Sequence, residues 1–246
     1  AGIQRHDEAY FSSLQELLQR KTGKAVPVAL TEYNAGFLGD EPVPYRHSLG
    51  AALINAELIR VIMRPENNIF MAAYWQFCNS HWGMVYSSGD APAYFKRPSF
   101  FVYEMYKRYF KDSLVRADAV SDSYSSAGLL PRRGIKDTLR LFDAYVPYVS
   151  VNASIDAKKE AVGLMVVNKD MDNDIICSIA LDSFAPGFIG RAYTLSAERS
   201  DDVNEHGKQN VVPHEIPVRI ENNAAYVTLP KHSFTAMEFR QGEAGE

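Results

Sequence analysis

One carboxylate stands out in this chain by its setting. Val26, Val28, Ala29 and Leu30 make a short apolar run that ends abruptly in Thr31-Glu32-Tyr33-Asn34, a single acid flanked by polar and aromatic groups. Such a run reads as an interior parallel strand. The functional residues of an α/β barrel sit where strands of that kind end, so this one delivers a carboxylate to a pocket and makes Glu32 the leading candidate. A second apolar run, residues 69–77, ends in Gln76-Phe77-Cys78-Asn79-Ser80-His81-Trp82. Two successive strand ends therefore carry Glu32, Asn34, Gln76, Asn79 and Trp82. The amides among them both donate and accept hydrogen bonds.

The surrounding pattern supplies the elements that would position these groups. Phe11, Leu14, Leu17 and Leu18 recur at helical spacing, Lys21-Thr22-Gly23-Lys24 stops that helix, and the first strand follows. After Glu32, a loop with Gly36, Gly39, Pro42 and Pro44 leads into a helix over residues 48–64, whose Leu49, Ala52, Leu53, Ala56 and Ile59 mark a buried face. Residues 98–110 form a third helix with Phe101, Met105 and Tyr109 on one side. From Asp112 the pattern changes. Short runs at residues 146–155, 161–168, 175–181, 192–195, 216–220, 225–229 and 233–239 are separated by turn residues, as in an all-β sandwich. Residues 127–143 read as a long loop or insertion, and no repeat or low-complexity tract is present.

Composition sets outer limits. The 246 residues, 46% hydrophobic and 12% aromatic, suffice for one large or two ordinary domains. A net charge of −4 and a pI near 5.9 argue against nucleic acid as a partner, because phosphate binding needs a basic patch. The basic runs at residues 20–24 and 107–111 read as solvated helix ends. No apolar stretch reaches the roughly 18 residues of a spanning helix, so no membrane partner is expected. The first six residues lack the regions of a signal peptide, which inclines the reading to the cytoplasm, and an opening of Ala1-Gly2-Ile3-Gln4 suggests processing or truncation. Cys78 and Cys177 read as free buried thiols. His206, His214 and His81 do not have metal-ligand spacing, so neither a metal nor another cofactor is expected. The sequon Asn152-Ala153-Ser154 is short enough to arise by chance.

Taken in order, these residues resemble the C-terminal half of the family 51 α-L-arabinofuranosidases, retaining glycoside hydrolases built from a (β/α)8 barrel and a β-sandwich. Thr31-Glu32-Tyr33-Asn34 corresponds to that family's nucleophile motif, commonly Asp-Glu-Trp-Asn, on the seventh barrel strand. Trp75-Gln76-Phe77-Cys78-Asn79 resembles the Ala-Gln-Leu-Val-Asn of the eighth. Leu164-Met165-Val166-Val167-Asn168, Asn204, Val211 or Val212, and Leu229-Pro230-Lys231-His232-Ser233-Phe234 resemble the sandwich, which closes with Leu-Pro-Pro-x-Ser-Phe. Thr31, Tyr33 and Cys78 depart from the usual Asp, Trp and Val, which bears on substrate preference. The family's acid/base glutamate lies in an Asn-Glu pair at the end of the fourth strand. The Asn-Glu pair of this chain, Asn204-Glu205, lies in the polar residues 198–209 with no apolar strand before it and reads as solvated loop.

The resemblance implies an α/β plus all-β chain: the last two βα units of a (β/α)8 TIM barrel in residues 1–110, then a C-terminal antiparallel β-sandwich in residues 111–246. It implies Glu32 as the nucleophile of a retaining hydrolase, with Gln76 binding the furanose and Asn34 holding sugar hydroxyls or orienting Glu32. Trp82, Tyr33 and Trp75 would pack against a sugar face. Two βα units cannot close a barrel and would expose apolar strand edges. The partners implied are thus an arabinose-containing oligo- or polysaccharide and an N-terminal half of the same enzyme, as a second chain or from a precursor, with a homo-oligomer among the assemblies the family forms. A non-catalytic carbohydrate-binding or structural module is the alternative. A third reading keeps the fold and changes the sugar to a xyloside or glucoside.

Overall fold

The computed structural model describes residues 5–35, 45–87, 94–125, 145–182, 184, 189–205 and 208–241. In chain order its elements are α1 (Arg5–Thr22), β1 (Val28–Tyr33), α2 (Leu49–Ile62), β2 (Ile69–Tyr74), β3 (Val85–Tyr86), β4 (Phe95–Lys96), α3 (Pro98–Tyr109), β5 (Ser113–Val115), β6 (Ser123–Ser125), β7 (Tyr145–Pro147), β8 (Val149–Ile155), β9 (Ala161–Asn168), β10 (Ile175–Ala180), β11 (Ile189–Leu195), β12 (His214–Ile216), β13 (Arg219–Glu221), β14 (Ala224–Leu229) and β15 (Ser233–Arg240). The chain is mostly β-sheet with few helices.

An antiparallel sheet of order β12-β11-β15-β9-β8-β5 forms the middle layer. β9 is buried along its whole length, which explains its uninterrupted apolar sequence: a strand covered on both faces has no solvent side to encode. Side chains alternate across a strand. Val162, Leu164 and Val166 face one apolar cluster with Ala225, Val227 and Leu229 of β14 and Met237 and Phe239 of β15. That cluster is roofed by a three-stranded sheet of order β10-β14-β13. Met165 and Val167 face the opposite way, into a cluster with Leu49, Leu53 and Ala56 of α2, Phe101 and Met105 of α3, and Phe234 of β15.

Polar residues pin the helical layer in place. On β8 the helix-facing positions are Ser150, Asn152 and Ser154. Ser150 hydrogen-bonds to the fully buried Glu57 of α2, which also takes Arg60 (2.9 Å) and Lys169 (3.8 Å). Ser154 Oγ accepts from Lys111 N (2.8 Å) just past α3. The sequon asparagine, Asn152, is thus a buried strand residue, 7% exposed. Tyr106 stacks on Phe234 (5.5 Å) and Tyr109 on Tyr193 (5.1 Å). Gly163 lets the end of α3 lie against β9, because a Cβ there would stand 2.1 Å from Tyr109 O. The N-terminus of α2 is satisfied by the chain near β11: Leu49 N donates to Asp202 O (2.9 Å) and Gly50 N to Ser200 O (2.7 Å).

Several expectations are corrected. The first strand is parallel to the second, but it is half-exposed rather than interior, because among the described residues β1 and β2 pair with each other alone. Phe70, Met71, Trp75 and Phe77 are exposed (70%, 47%, 40% and 63%). Cys78 is exposed and Cys177 half-buried rather than buried; both are free thiols. The single strand expected over residues 216–220 is two strands in different sheets, β12 and β13, parted at Pro217, which has no N–H for a ladder. The loop with Gly36, Gly39, Pro42 and Pro44 and the insertion over residues 127–143 lie outside the described residues. Among the described residues no helix is long and apolar enough to cross a membrane.

The close approach at Gly163 yields a test. Gly163→Ala must push α3 off β9, and we expect it to destabilise the chain by about 1–3 kcal/mol, read as a lower urea midpoint at unchanged m-value; an unchanged midpoint would mean the contact is loose.

Candidate functional site

The parallel register sets Tyr33 level with Tyr74, and Trp75 N donates to Tyr33 O (2.9 Å), which carries the ladder one residue further. The carboxyl ends of both strands therefore emerge side by side. Tyr33 and Tyr74 lie against Tyr103 of α3: Tyr103 OH donates to Tyr33 OH (2.7 Å), and the Tyr74 ring centroid is 5.8 Å from that of Tyr33 and 5.1 Å from that of Tyr103. Glu32 precedes Tyr33 within the stretch where the β1–β2 register shifts, between Leu30 and Tyr33. It is exposed, and among the described residues its carboxylate has no hydrogen-bond or ion-pair partner.

Burial dominates the tyrosine cluster electrostatically. It raises Tyr33 above its ordinary value, against the opposing hydrogen bond from Tyr103. It pushes Tyr74 up to about 12, with hydrogen bonds to Ser99 and Asn34 opposing. Tyr103 is raised well above its ordinary range by burial and by the neighbouring Tyr33.

Asn34 turns inward. Its Nδ2 donates to Trp75 O and, at 3.4 Å, to Trp82 O. Its Oδ1 accepts from Ala35 N (2.7 Å) and from Asn55 Nδ2 (3.3 Å). Asn55, fully buried on α2, also reaches Ser99 Oγ at the start of α3 (3.1 Å) and accepts from Ala35 N (3.2 Å). Gln76, just past β2, is half-buried; its carbonyl accepts from Met84 N (3.1 Å). Beyond it the chain turns. Asn79 Oδ1 gathers the N–H groups of His81 (2.9 Å), Trp82 (2.5 Å) and Gly83 (2.7 Å). The Trp82 ring carries the Arg46 guanidinium at 4.2 Å and the His81 ring edge-on at 5.1 Å.

Asn204 and Glu205 are not the solvated loop that their polar sequence suggests. Asn204 is 0% exposed and Glu205 8%. The Asn204 amide closes its own loop, exchanging bonds with Val211 O (2.7 Å) and Val211 N (2.9 Å). Glu205 accepts from Arg97 Nε (2.9 Å) and pairs with His47 Nδ1. Burial alone would raise the Glu205 carboxyl, but the bond and charge of His47 together with Arg97 outweigh it, and its pKa is lowered. This glutamate is committed to an ion pair.

The sequence reading missed Asn55, Ser99, Arg97 and His47. Asn55 alone left a signal, being a polar residue inside an apolar helical run, where a buried amide must find partners. A surface depression of about 400 Å³, lined among others by Tyr45, Glu198, Ser200, Lys231 and His232, includes none of Glu32, Tyr33, Asn34, Gln76 and Trp82. Among the described residues no group of His, Cys, Asp and Glu side chains could hold a metal ion.

The fold is one found in glycoside hydrolases. The chain is similar to the family 51 α-L-arabinofuranosidase of Thermotoga petrophila RKU-1, with a TM-score of 0.71 at 18% identity over 92% of this chain and 46% of that one. It is also similar to AbfB, a family 51 α-L-arabinofuranosidase from Bifidobacterium longum, with a TM-score of 0.72 at 15% identity over 98% of this chain and 49% of that one. The catalytic domain of the GH30 xylanase C from Talaromyces cellulolyticus is more distant, with a TM-score of 0.56 at 15% identity over 89% and 42% of the two chains. The chain thus spans about half the length of the arabinofuranosidases it resembles. No curated protein matches it. Residues 31–233 match the family of the α-L-arabinofuranosidase C-terminal domain, and the chain belongs to that family.

The buried tyrosine gives a prediction. A pKa raised from 10.0 to about 12 means that the folded state holds the Tyr74 proton more tightly than the unfolded state. The stability it contributes is intact below pH 10 and is lost as pH rises through about 12, at up to about 1.4 kcal/mol per pH unit. We expect unfolding free energies measured from about pH 9 to about pH 12 to fall less steeply in Tyr74→Phe; equal slopes would show that the hydroxyl titrates as in water.

Proposed function

We propose that this chain is the nucleophile-bearing part of a retaining α-L-arabinofuranosidase, acting on arabinose-containing hemicellulose such as arabinan or arabinoxylan, or on small arabinosides. The observation that carries the reading is the parallel pairing of β1 with β2, level at Tyr33 and Tyr74, which brings Glu32 and Gln76 to neighbouring strand ends. Residues 1–110 are then the last two βα units of a (β/α)8 barrel and residues 111–246 its β-sandwich. The exposure of Phe70, Met71 and Phe77 fits strands whose remaining partners come from an N-terminal half.

In this mechanism Glu32 attacks the anomeric carbon and the aglycone leaves, forming a covalent glycosyl-enzyme that water then hydrolyses. The acid/base carboxyl, held about 5–5.5 Å from Glu32 in a retaining enzyme, comes from the N-terminal half. Glu205 is not that group, since it is engaged by Arg97 and His47. Gln76 binds the furanose. Asn34, whose amide is occupied within the chain, serves the orienting role by tying the end of β1 to Trp75 and Trp82. Trp82 packs on the sugar. Tyr33 acts from behind, through its contacts with Tyr74 and Tyr103, in keeping Glu32 on the open face.

A second reading, a non-catalytic carbohydrate-binding or structural module, draws on the exposed Trp75 and Phe77, which would suit a sugar-binding surface without turnover. Glu32→Gln separates the two. In the chain assembled with its N-terminal half, we expect it to lower kcat on an aryl arabinofuranoside by roughly 10⁴-fold or more, with azide restoring turnover in Glu32→Ala. Wild-type turnover in Glu32→Gln would remove Glu32 from the chemistry, and arabino-oligosaccharide affinity unchanged by it in a chain with no turnover would favour the binding module.

A further inference from the structure

The turn at residues 79–83 has no regular secondary structure, yet each of its five carbonyl oxygens accepts from a side chain. Arg97 Nη1 donates to Gly83 O (2.7 Å) and, more weakly, to Asn79 O (3.5 Å); Arg97 Nη2 donates to Ser80 O (2.7 Å). His47 Nε2 lies 2.7 Å from His81 O. Asn34 Nδ2 takes Trp82 O at 3.4 Å. The donors come from three separate places: the end of β1, the approach to α2 and the residue before α3. The turn's own N–H groups close on Asn79 Oδ1.

Such a turn is held from outside itself, and the hold is electrostatic. Arg97 is 2% exposed, and its charge is balanced by Glu205, which its Nε meets at 2.9 Å. Glu205 also pairs with His47, so one carboxylate meets both side chains that hold the turn. A guanidinium suits this work because its planar fork offers five fixed N–H groups, whereas an ammonium is a point charge with three. A carboxylate some 108 positions along the chain from Arg97 therefore reaches the turn that carries Trp82.

We propose that Arg97, keyed by Glu205 and His47, is a positioning residue that fixes the indole of Trp82 for contact with the substrate sugar. The inference rests on the reading of Trp82 as a sugar contact, and it adds to that reading the groups that hold the contact in place. Arg97 touches no substrate. It acts through the carbonyls of the turn, so its loss leaves the strand-end carboxylate unaltered and displaces the aromatic surface beside it.

The chain has two tryptophans, Trp75 and Trp82, so Trp75→Phe makes Trp82 the sole indole reporter. In that background we expect Arg97→Lys, which keeps the charge and loses the fork, to red-shift the emission and raise acrylamide quenching at least ~2-fold while far-UV CD and cooperative urea unfolding persist. Glu205→Gln is the second variant and should move the signal in the same direction. In the assembled enzyme, Arg97→Lys should raise KM for an arabinoside by ~10-fold or more, with the smaller share of the loss in kcat. Unchanged emission, quenching and KM in folded Arg97→Lys would overturn the proposal even if Glu32→Gln is inactive. Conversely, if Glu32→Gln keeps full activity while the quenching responds, the functional reading fails and the clamp stands. Should both variants fail to fold, hydrogen exchange on the wild-type chain decides: slow amides at His81, Trp82 and Gly83 support a fixed turn, and exchange at the free-peptide rate overturns it.

Discussion

β9 must be covered on both of its faces, and the rest of the molecule is arranged to do this. Its eight residues are all buried, and a strand that apolar cannot face water on either side without losing about 1.5–3 kcal/mol for each large side chain left exposed. One face takes the three-stranded sheet, the other takes α2 and α3. The helices that cover β9 are the same ones that carry Asn55, Ser99 and Tyr103 to the ends of β1 and β2. Covering the sheet and building the site are thus one packing problem.

The two sides of that arrangement differ in chemistry. Toward the small sheet the contacts are apolar, with Val227, Leu229, Met237 and Phe239 all 1% exposed or less. Toward the helices, apolar contacts are interleaved with polar ones at Ser150, Asn152 and Ser154. Buried polar groups cost free energy unless they are bonded, and each of these finds a partner on or next to a helix. Apolar contacts alone tolerate sliding, whereas a buried Glu57 with Arg60, Lys169 and Ser150 around it is satisfied at one helix position. The polar side of the sheet therefore sets where the helices, and with them the strand ends, come to rest.

The candidate site is open on the side of Glu32. Glu32 and the neighbouring strand surface face solvent, while the groups behind them are dry, as the raised pKa values of the Tyr33, Tyr74 and Tyr103 hydroxyls reflect. The side chains behind the strand ends are bonded to one another, while the front is uncovered.

Local patterns decided much of this in advance. The helical spacing of Leu49, Leu53 and Ala56, the stop at Gly23, the parallel strand ending in Thr31-Glu32-Tyr33-Asn34 and most strands of the large sheet were legible because each depends on neighbours a few positions away. Gly23 does adopt the left-handed backbone a helix stop requires, at φ +76°. The family likeness was legible too, since it lies in ordered short motifs. What the tertiary structure alone decided was the fate of polar residues. Asn204-Glu205 carried every local mark of a solvated loop and is buried, Asn152-Ala153-Ser154 is an interior strand, and the inward-turned amide of Asn34 depends on Trp75, Trp82 and Asn55. A charged or amide side chain is stable inside only where a distant partner meets it, and sequence spacing holds no record of a meeting such as that between Arg97 and Glu205.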